Sequence, residues 1–491
     1  MRVFLGNAPW RKEGRWGVRA GSRWPFTMPR RRGEKTPPYL PFPFFLAYAT
    51  AVLERAGVEV LLVDAVAEGM EDAPFLSRLQ EFGPDLIVLE TSTPSIASDL
   101  AIAAAAKEVT GAQIALTGPH VTALPHSVLE ENLAVDFVLL GEYEYTLREL
   151  VQTLKAGGDL GPVLGLAYRD EGGAVRVNPR RPVIANLDEL PWPARHFLPM
   201  MNYRDNFADL PQPSLQMWAS RGCPFACIFC LWPEVMYRDH RYRVRNPVDV
   251  VGEIVWCLER YDLRSVYFDD DTFDLGKRRI LRLCEEMKKR GLNLPWAVMA
   301  RADTCDREML EAMAEAGLYA IKYGVESGVQ EILDRCGKRL SLKTVEKTVK
   351  ITKELGIKVH LTFTLGLPGE TEETIRRTIN YALKLDPDSV QFSLTTPFPG
   401  TAYYQMLRRR GFLLASDWAE FDGAGRAVMR TAHLTREELE RAYHQAVQAW
   451  GDHVLRRQLR SQPWRAGWML LRRPRAAWRL LRRVDVKRCR G

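Results

Sequence analysis

Short apolar runs alternate with helical patterns through the first 160 residues. The runs at 2–5, 58–63, 85–89, 113–116 and 136–140 are strand-like, with a helical stretch at 98–107 among their connections. That pattern predicts a doubly wound parallel α/β unit over residues 1–160. Ligands in such sheets bind beyond the carboxyl ends of the strands. Those ends carry Asn7-Ala8-Pro9-Trp10, Asp64, Glu90-Thr91-Ser92-Thr93, Thr117-Gly118-Pro119-His120 and Gly141-Glu142.

Residues 161–213 are rich in proline, including Pro191-Trp192-Pro193, and predict a linker lying on the surface. A second series then begins, with strand-like runs at 215–219, 265–268, 296–300, 320–324, 358–364 and 389–394. Six such units predict a partial (β/α)6 barrel over 214–415, with its chemistry at the carboxyl ends of the strands. Residues 416–491 complete the chain as a helical region with a basic tail.

A chain of 491 residues is too long for one core, so several domains are expected. The formal charge of +8 is unevenly spread. Residues 455–491 hold thirteen Lys or Arg against the single acid Asp485, a net of +12, so the first 454 residues are mildly acidic. An acidic body gives no support for specific nucleic-acid binding. Eight cysteines without a signal peptide, and no uninterrupted apolar stretch of about 18 residues, lead to the expectation of a cytoplasmic protein.

Cys223, Cys227 and Cys230 follow a C-x3-C-x2-C spacing, and Gly222 and Pro224 place them on a loop after the first strand of the second series. Three thiolates on a four-iron cluster leave one iron open. A closed zinc site wants four ligands, and the nearest candidate, His240, lies ten residues on in an arginine-rich stretch. Structural thiols are the alternative, as expected for the isolated Cys257, Cys284, Cys305 and Cys336.

With this loop at the end of the first strand of six, the second domain resembles the radical S-adenosylmethionine (SAM) superfamily. The resemblance implies that Cys223, Cys227 and Cys230 hold a [4Fe–4S] cluster, that SAM chelates the fourth iron, and that one electron cleaves SAM to a 5′-deoxyadenosyl radical. It further implies SAM contacts from Phe229 in the cysteine loop and from Asp269, Asp270 and Asp271, which depart from the Gly-Gly-Glu form. Arg301, Glu326 and Gly366 at later strand ends complete that set. Singly, an acidic triplet is usually a helix cap, and Leu-Pro-Gly-Glu-Thr a plain helix start.

The first domain resembles the cobalamin-binding module that precedes many radical SAM domains, with a flavodoxin-like sheet. Histidine-ligating modules carry Asp-x-His-x-x-Gly after the second strand. Here the run is Asp64-Ala65-Val66-Ala67-Glu68-Gly69, and Val66 cannot ligate cobalt. The resemblance implies cobalamin contacts from Asp64, Val66, Gly69, Thr91, Ser92, Thr117, Gly118, His120, Gly141 and Glu142. His120 follows Gly-Pro and can equally serve to hydrogen-bond its own loop. An empty remnant of the site is the alternative.

The resemblance therefore implies three cofactors, a [4Fe–4S] cluster, SAM and cobalamin, with a flavodoxin or ferredoxin as electron donor. Class B radical SAM methylases of this kind methylate unactivated carbon, and a lipid or other apolar natural product is the expected substrate. The chain also resembles the anaerobic Mg-protoporphyrin monomethyl ester cyclase and hopanoid-biosynthesis relatives, which keeps a radical cyclase or oxidase open. A cobalamin-binding protein without catalysis is the third possibility. Substrate-facing segments are expected at 231–240 and 15–25, where arginine alternates with tryptophan. In the tail, Trp464, Trp468, Leu471, Trp478, Leu481 and Val484 recur among arginines around Pro474. Such a stripe reads as an interfacial amphipathic helix that would give peripheral membrane contact, as a helix packed on the barrel bottom, or as a nonspecific nucleic-acid arm.

Overall fold

The computed structural model describes residues 1–19, 25–30, 33–205, 207–423 and 425–461. The first sheet runs, in spatial order, Glu59–Asp64, Arg2–Asn7, Leu86–Glu90, Gln113–Thr117 and Phe137–Leu139, all parallel. Strand order therefore reverses between the first and third strands in sequence, and the crevice of a doubly wound sheet opens at such a reversal. Phe44–Arg55 and Glu144–Ala156 cover one face, and Asp72–Phe82 and Ile96–Thr110 the other, which is why the strands are apolar on both sides.

The sheet continues past residue 160. Leu166–Arg169 pairs antiparallel with Phe137–Leu139, and Val175–Val177 pairs antiparallel with Leu166–Arg169. The first part of the expected linker is thus a hairpin on the sheet edge, turned by Asp170, whose carboxylate accepts from the amides of Gly172 and Ala174 at 3.1 and 2.9 Å. The remainder is irregular but anchored. Arg195 is buried and donates to Glu253 at 2.9 Å, and Leu40 bridges to Arg204.

The second sheet holds six parallel strands in simple order: Ser214–Met217, Ser265–Phe268, Trp296–Ala300, Leu318–Glu326, Lys358–Leu365 and Ser389–Leu394. Its outward-facing residues, such as Val359, Leu361 and Phe363, are fully buried beneath the surrounding helices. Its inward-facing residues are mostly polar, among them Asp269, Lys322, His360, Thr362, Gln391 and Ser393. The helix Arg436–Ser461 packs on the last strand. A small antiparallel sheet, Arg11–Lys12, Arg15–Val18 and Phe26–Met28, covers the open side of the barrel. No helix among the described residues is long and apolar enough to cross a membrane. The tail residues 464–484 lie outside the described residues.

Candidate active site

The cysteine loop is pinned by the segment past the second strand and by the helices Gln330–Arg335 and Ala402–Arg409. Gly222 donates its amide to Asp271 at 2.8 Å, Ile228 donates to the Cys336 carbonyl at 3.0 Å, and Tyr403 donates to the Ile228 carbonyl at 2.9 Å. Gly222 (φ +93°) passes so close to Arg241 that a Cβ would lie 2.2 Å from its carbonyl oxygen. The positive φ and the close approach together require glycine here. Cys223, Cys227 and Cys230 are free thiols, and all three line one cavity of about 530 Å³ inside the barrel. Cys223 Sγ lies 3.4 Å from the Thr272 hydroxyl.

Side-chain alternation builds the cavity wall in layers, because every second residue of a strand faces the same side. Cross-strand register sets Lys322 beside His360 and His360 beside Ser389, then Gly324 beside Thr362 and Thr362 beside Gln391. Thr364 beside Ser393 forms the layer nearest the strand ends. Tyr267 and Asp269 from the second strand, with Asp271 beyond it, and Met299 and Arg301 at the third strand's end complete the wall, and Phe26 and Tyr39 from the first domain close its open side.

Charge at the top of the cavity is internally balanced. Arg301 pairs with Asp303 at 2.8 Å, donates to the Lys338 carbonyl at 3.0 Å, and lies 3.5 Å over the Phe225 ring. Lys338 in turn pairs with Glu326 at 3.0 Å. Glu326 has φ +71° just past a register shift in the fourth strand, a conformation that a non-glycine residue adopts at a cost of about 1–3 kcal/mol. Gly324 makes room for this pair, since a Cβ there would lie 2.7 Å from the Glu326 carboxylate and 3.1 Å from Lys338 Nζ.

Of the expected SAM-facing residues, Phe229, Asp269, Asp271, Arg301 and Glu326 line the cavity with the thiols. Asp270 does not. It is fully buried beneath the cysteine loop, accepting from the Ala219 amide at 3.1 Å and from the Ser220 hydroxyl, and burial raises its carboxyl to about 6. Gly366 (φ +97°) also stays off the wall and faces Met429, while its amide donates to Glu370 at 2.6 Å. Lys338, Lys322 and His360 are cavity residues the sequence reading passed over. The signal for Lys322 and His360 is polar character at alternate positions of otherwise apolar strands, whereas Lys338 lies on the loop after the helix Gln330–Arg335 and carries no such mark. None of residues 231–240 lines the cavity. Trp232–Tyr237 instead forms a buried turn against the first domain, with the Val235 carbonyl accepting from Arg180 at 3.1 Å.

At the carboxyl edge of the first sheet, most of the expected residues bond to one another. Asp64 accepts from Asn7 at 2.8 Å, from Tyr203 at 3.0 Å and from the Ala67 amide at 3.0 Å, capping the helix Ala65–Glu68, while burial raises its carboxyl to about 6. Val66 is buried in the core. Gly69 is in the left-handed region, and a Cβ there would lie 2.3 Å from the Lys35 carbonyl oxygen. The Thr91 hydroxyl donates to the Thr117 carbonyl at 2.7 Å, Ser92 meets Ser95 at 2.7 Å, and Thr117 reaches the Leu139 carbonyl at 3.4 Å. Gly118 (φ +110°) lies against the Thr91 carbonyl. His120 bonds Thr93 at 3.3 Å and packs edge-on to Trp418, and burial lowers its pKa to about 4. Gly141 donates to Thr122 at 3.1 Å and abuts the Met236 carbonyl. Glu142 leaves this edge altogether: it pairs with Arg243 at 2.7 Å and Arg221 at 3.3 Å and accepts the Ile184 amide at 2.9 Å. Among the described residues, the buried polar atoms without a partner include Glu90 Oε2 and Arg19 Nε at this edge.

The sequence model described as "Radical SAM superfamily" matches residues 219–382, and that described as "B12 binding domain" matches residues 36–151. An uncharacterized methyltransferase of Pyrococcus horikoshii is 32% identical over 82% of this chain and 86% of its own length. The chain belongs to the radical SAM superfamily. Within it, the anaerobic magnesium-protoporphyrin IX monomethyl ester cyclase of Rubrivivax gelatinosus is 29% identical over 74% of this chain and 66% of its own. The fold is that of the radical SAM methyltransferase TsrM from Kitasatospora setae, solved with cobalamin and a [4Fe–4S] cluster bound. It superposes with a TM-score of 0.64 at 21% identity, over 83% of this chain and 78% of that one.

The radical SAM site has the donor chemistry that a cluster requires. Among the described residues no three His, Cys, Asp or Glu side chains converge on a single metal ion. A cubane makes no such demand, because each thiolate binds a different iron. At the edge of the B12 binding domain, Thr91, Ser92, Thr117 and Gly118 are small, and the unpartnered Glu90 and Arg19 atoms suit a ligand rich in carboxamides.

Proposed function

We propose that the protein is a cobalamin-dependent radical SAM methyltransferase, with Cys223, Cys227 and Cys230 holding the [4Fe–4S] cluster and the barrel cavity holding SAM and substrate together. The observation that carries this reading is one juxtaposition. The three thiols face the cavity, while Trp232–Tyr237, immediately after Cys230, packs on Gly141 and Ala123 of the first sheet's carboxyl edge. When bound, the cluster and SAM supply a 5′-deoxyadenosyl radical and cobalamin supplies a transferable methyl group.

The chain's own residues bind and orient. Asp269 and Asp271 would offer carboxylates to the ammonium group of SAM, and the Arg301–Lys338–Glu326 chain holds the cavity rim beside them rigid. Thr91, Ser92, Thr117 and Gly118, with Glu90 and Arg19, would receive the carboxamides of a bound cobalamin, and Val66 carries no group able to ligate its metal. Phe26, Tyr39 and Phe207 close the cavity against water. No side-chain nucleophile is needed. A flavodoxin or ferredoxin delivers the electron. The polar ladder on strands four to six favours an oxygen-bearing natural product over a wholly hydrocarbon substrate.

Ring closure is the second reading, favoured by the 29% identity to the Rubrivivax gelatinosus cyclase. Methyl-labelled SAM separates the two. The full chain, loaded with iron, sulfide and cobalamin under anaerobic conditions, is given labelled SAM and a small-molecule extract. Label in a product carbon supports methylation, whereas a new product without label supports cyclisation.

A further inference from the structure

The floor of the barrel cavity, farthest from the thiols, is built from polar groups that no step above uses. His360 is 93% buried and lines the cavity; its Nδ1 lies 2.8 Å from the Ser389 hydroxyl, and its Nε2 has no partner among the described residues. Lys322 stands beside it in register, 3.6 Å from Asp205 and 3.4 Å from the Tyr267 hydroxyl, with its ammonium 4.5 Å over the Phe207 ring. Phe207 also packs edge-on to His360 and Tyr267, so the floor is sealed from below.

Two properties of this floor select a ligand group. Its charge cancels, because Lys322 is neutralised by Asp205. Burial and the Lys322 ammonium together hold His360 well below its usual pKa, and hence neutral. An anionic or cationic ligand group would therefore be desolvated without a counter-charge and so disfavoured against a neutral one. The unpartnered nitrogen takes one hydrogen bond, as donor or acceptor according to which ring nitrogen carries the proton. A hydroxyl satisfies either tautomer.

We propose that His360, oriented by its bond to Ser389 and flanked by Lys322 and Tyr267, forms a substrate subsite that takes a neutral hydroxyl group. This rests on the cavity being the reaction chamber. His360 and Thr364 stand at opposite ends of the ladder, four residues and roughly 13 Å apart at about 3.3 Å per residue. A substrate gripped at the floor thus extends its far end toward the cluster loop, and the subsite sets which carbon is presented.

The test uses the full chain carrying its cluster and three probes of one length, 1-octanol, octanoate and octylamine, titrated by calorimetry. The expected result is saturable binding of octanol, tighter than that of either charged probe, weakened about fivefold or more in His360→Phe and recovered in His360→Gln. Iron content, melting temperature and SAM cleavage are followed in the same samples, so failure of the cluster reading is seen separately from failure of the subsite. Equal octanol binding by wild type and His360→Phe in iron-replete protein would overturn the proposal, as would preference for octanoate or no saturable octanol binding at all.

Discussion

The Arg221 guanidinium lies 2.7 Å from the Glu144 carboxylate; both side chains are fully buried, and Arg221 stands two residues before Cys223. Glu144 begins the last helix of the first domain and Arg221 ends the strand pair that launches the cysteine loop. Glu142 adds a second carboxylate, shared with Arg243. The aromatic rings of Tyr48 and Trp218 lie 4.7 and 4.8 Å from the guanidinium. The domain carrying the B12 match therefore sets the position of the thiols through a buried ionic contact.

Removing Glu144 leaves the buried Arg221 guanidinium with only Glu142, a carboxylate it already shares with Arg243. Glu144→Ala is expected to cost about 1.5–3 kcal/mol of stability and to reduce iron loading, because Arg221 then pulls the loop toward Glu142 alone. Replacing both partners by apolar residues, Arg221→Met with Glu144→Leu, is expected to cost less than the single change. Melting temperature and iron per chain check both, and unchanged values for Glu144→Ala would show the contact to be incidental.

Glu370 yields a pH signature. Its carboxylate accepts from the amides of Gly366 and Leu367 at 2.6 and 3.0 Å, its Oε1 has no partner among the described residues, and burial raises its pKa to about 7. A carboxyl with a raised pKa binds its proton more tightly folded than unfolded. Its contribution is thus fully present below the unfolded value near 4.5 and is lost as pH climbs toward 7, at up to about 1.4 kcal/mol per pH unit. Glu370→Gln keeps the acceptor without the charge, so its melting temperature should gain on wild type between pH 5 and pH 8. Parallel curves across that range would contradict the assignment.

Much of this architecture was legible because parallel strands buried on both faces leave continuous apolar runs, and all six barrel strands lie where those runs predict them. The hairpin at Leu166–Arg169 and Val175–Val177 was not read, although Asp170 and Gly172-Gly173 mark its turn, because proline elsewhere in the segment dominated the pattern. Strand-end position alone did not tell Asp269 from Asp270 or Gly141 from Glu142. Adjacent residues point to opposite sides, so one carboxylate enters the cavity while its neighbour braces the loop or bonds the next domain. His360 and Lys322 were hidden differently: their period-two polarity is visible, but only cross-strand register sets them side by side.

The cysteine assignment is tested most directly by anaerobic reconstitution of the full chain with iron and sulfide, comparing wild type, Cys227→Ala and Cys284→Ala. Cys227 lines the cavity, whereas Cys284 is buried in the core behind the barrel wall. Wild type and Cys284→Ala should each take up about four irons, show charge-transfer absorption and release 5′-deoxyadenosine from SAM when reduced, while Cys227→Ala loses all three. Iron uptake and SAM cleavage that survive in Cys227→Ala, or wild-type protein that takes up no iron, would contradict the account.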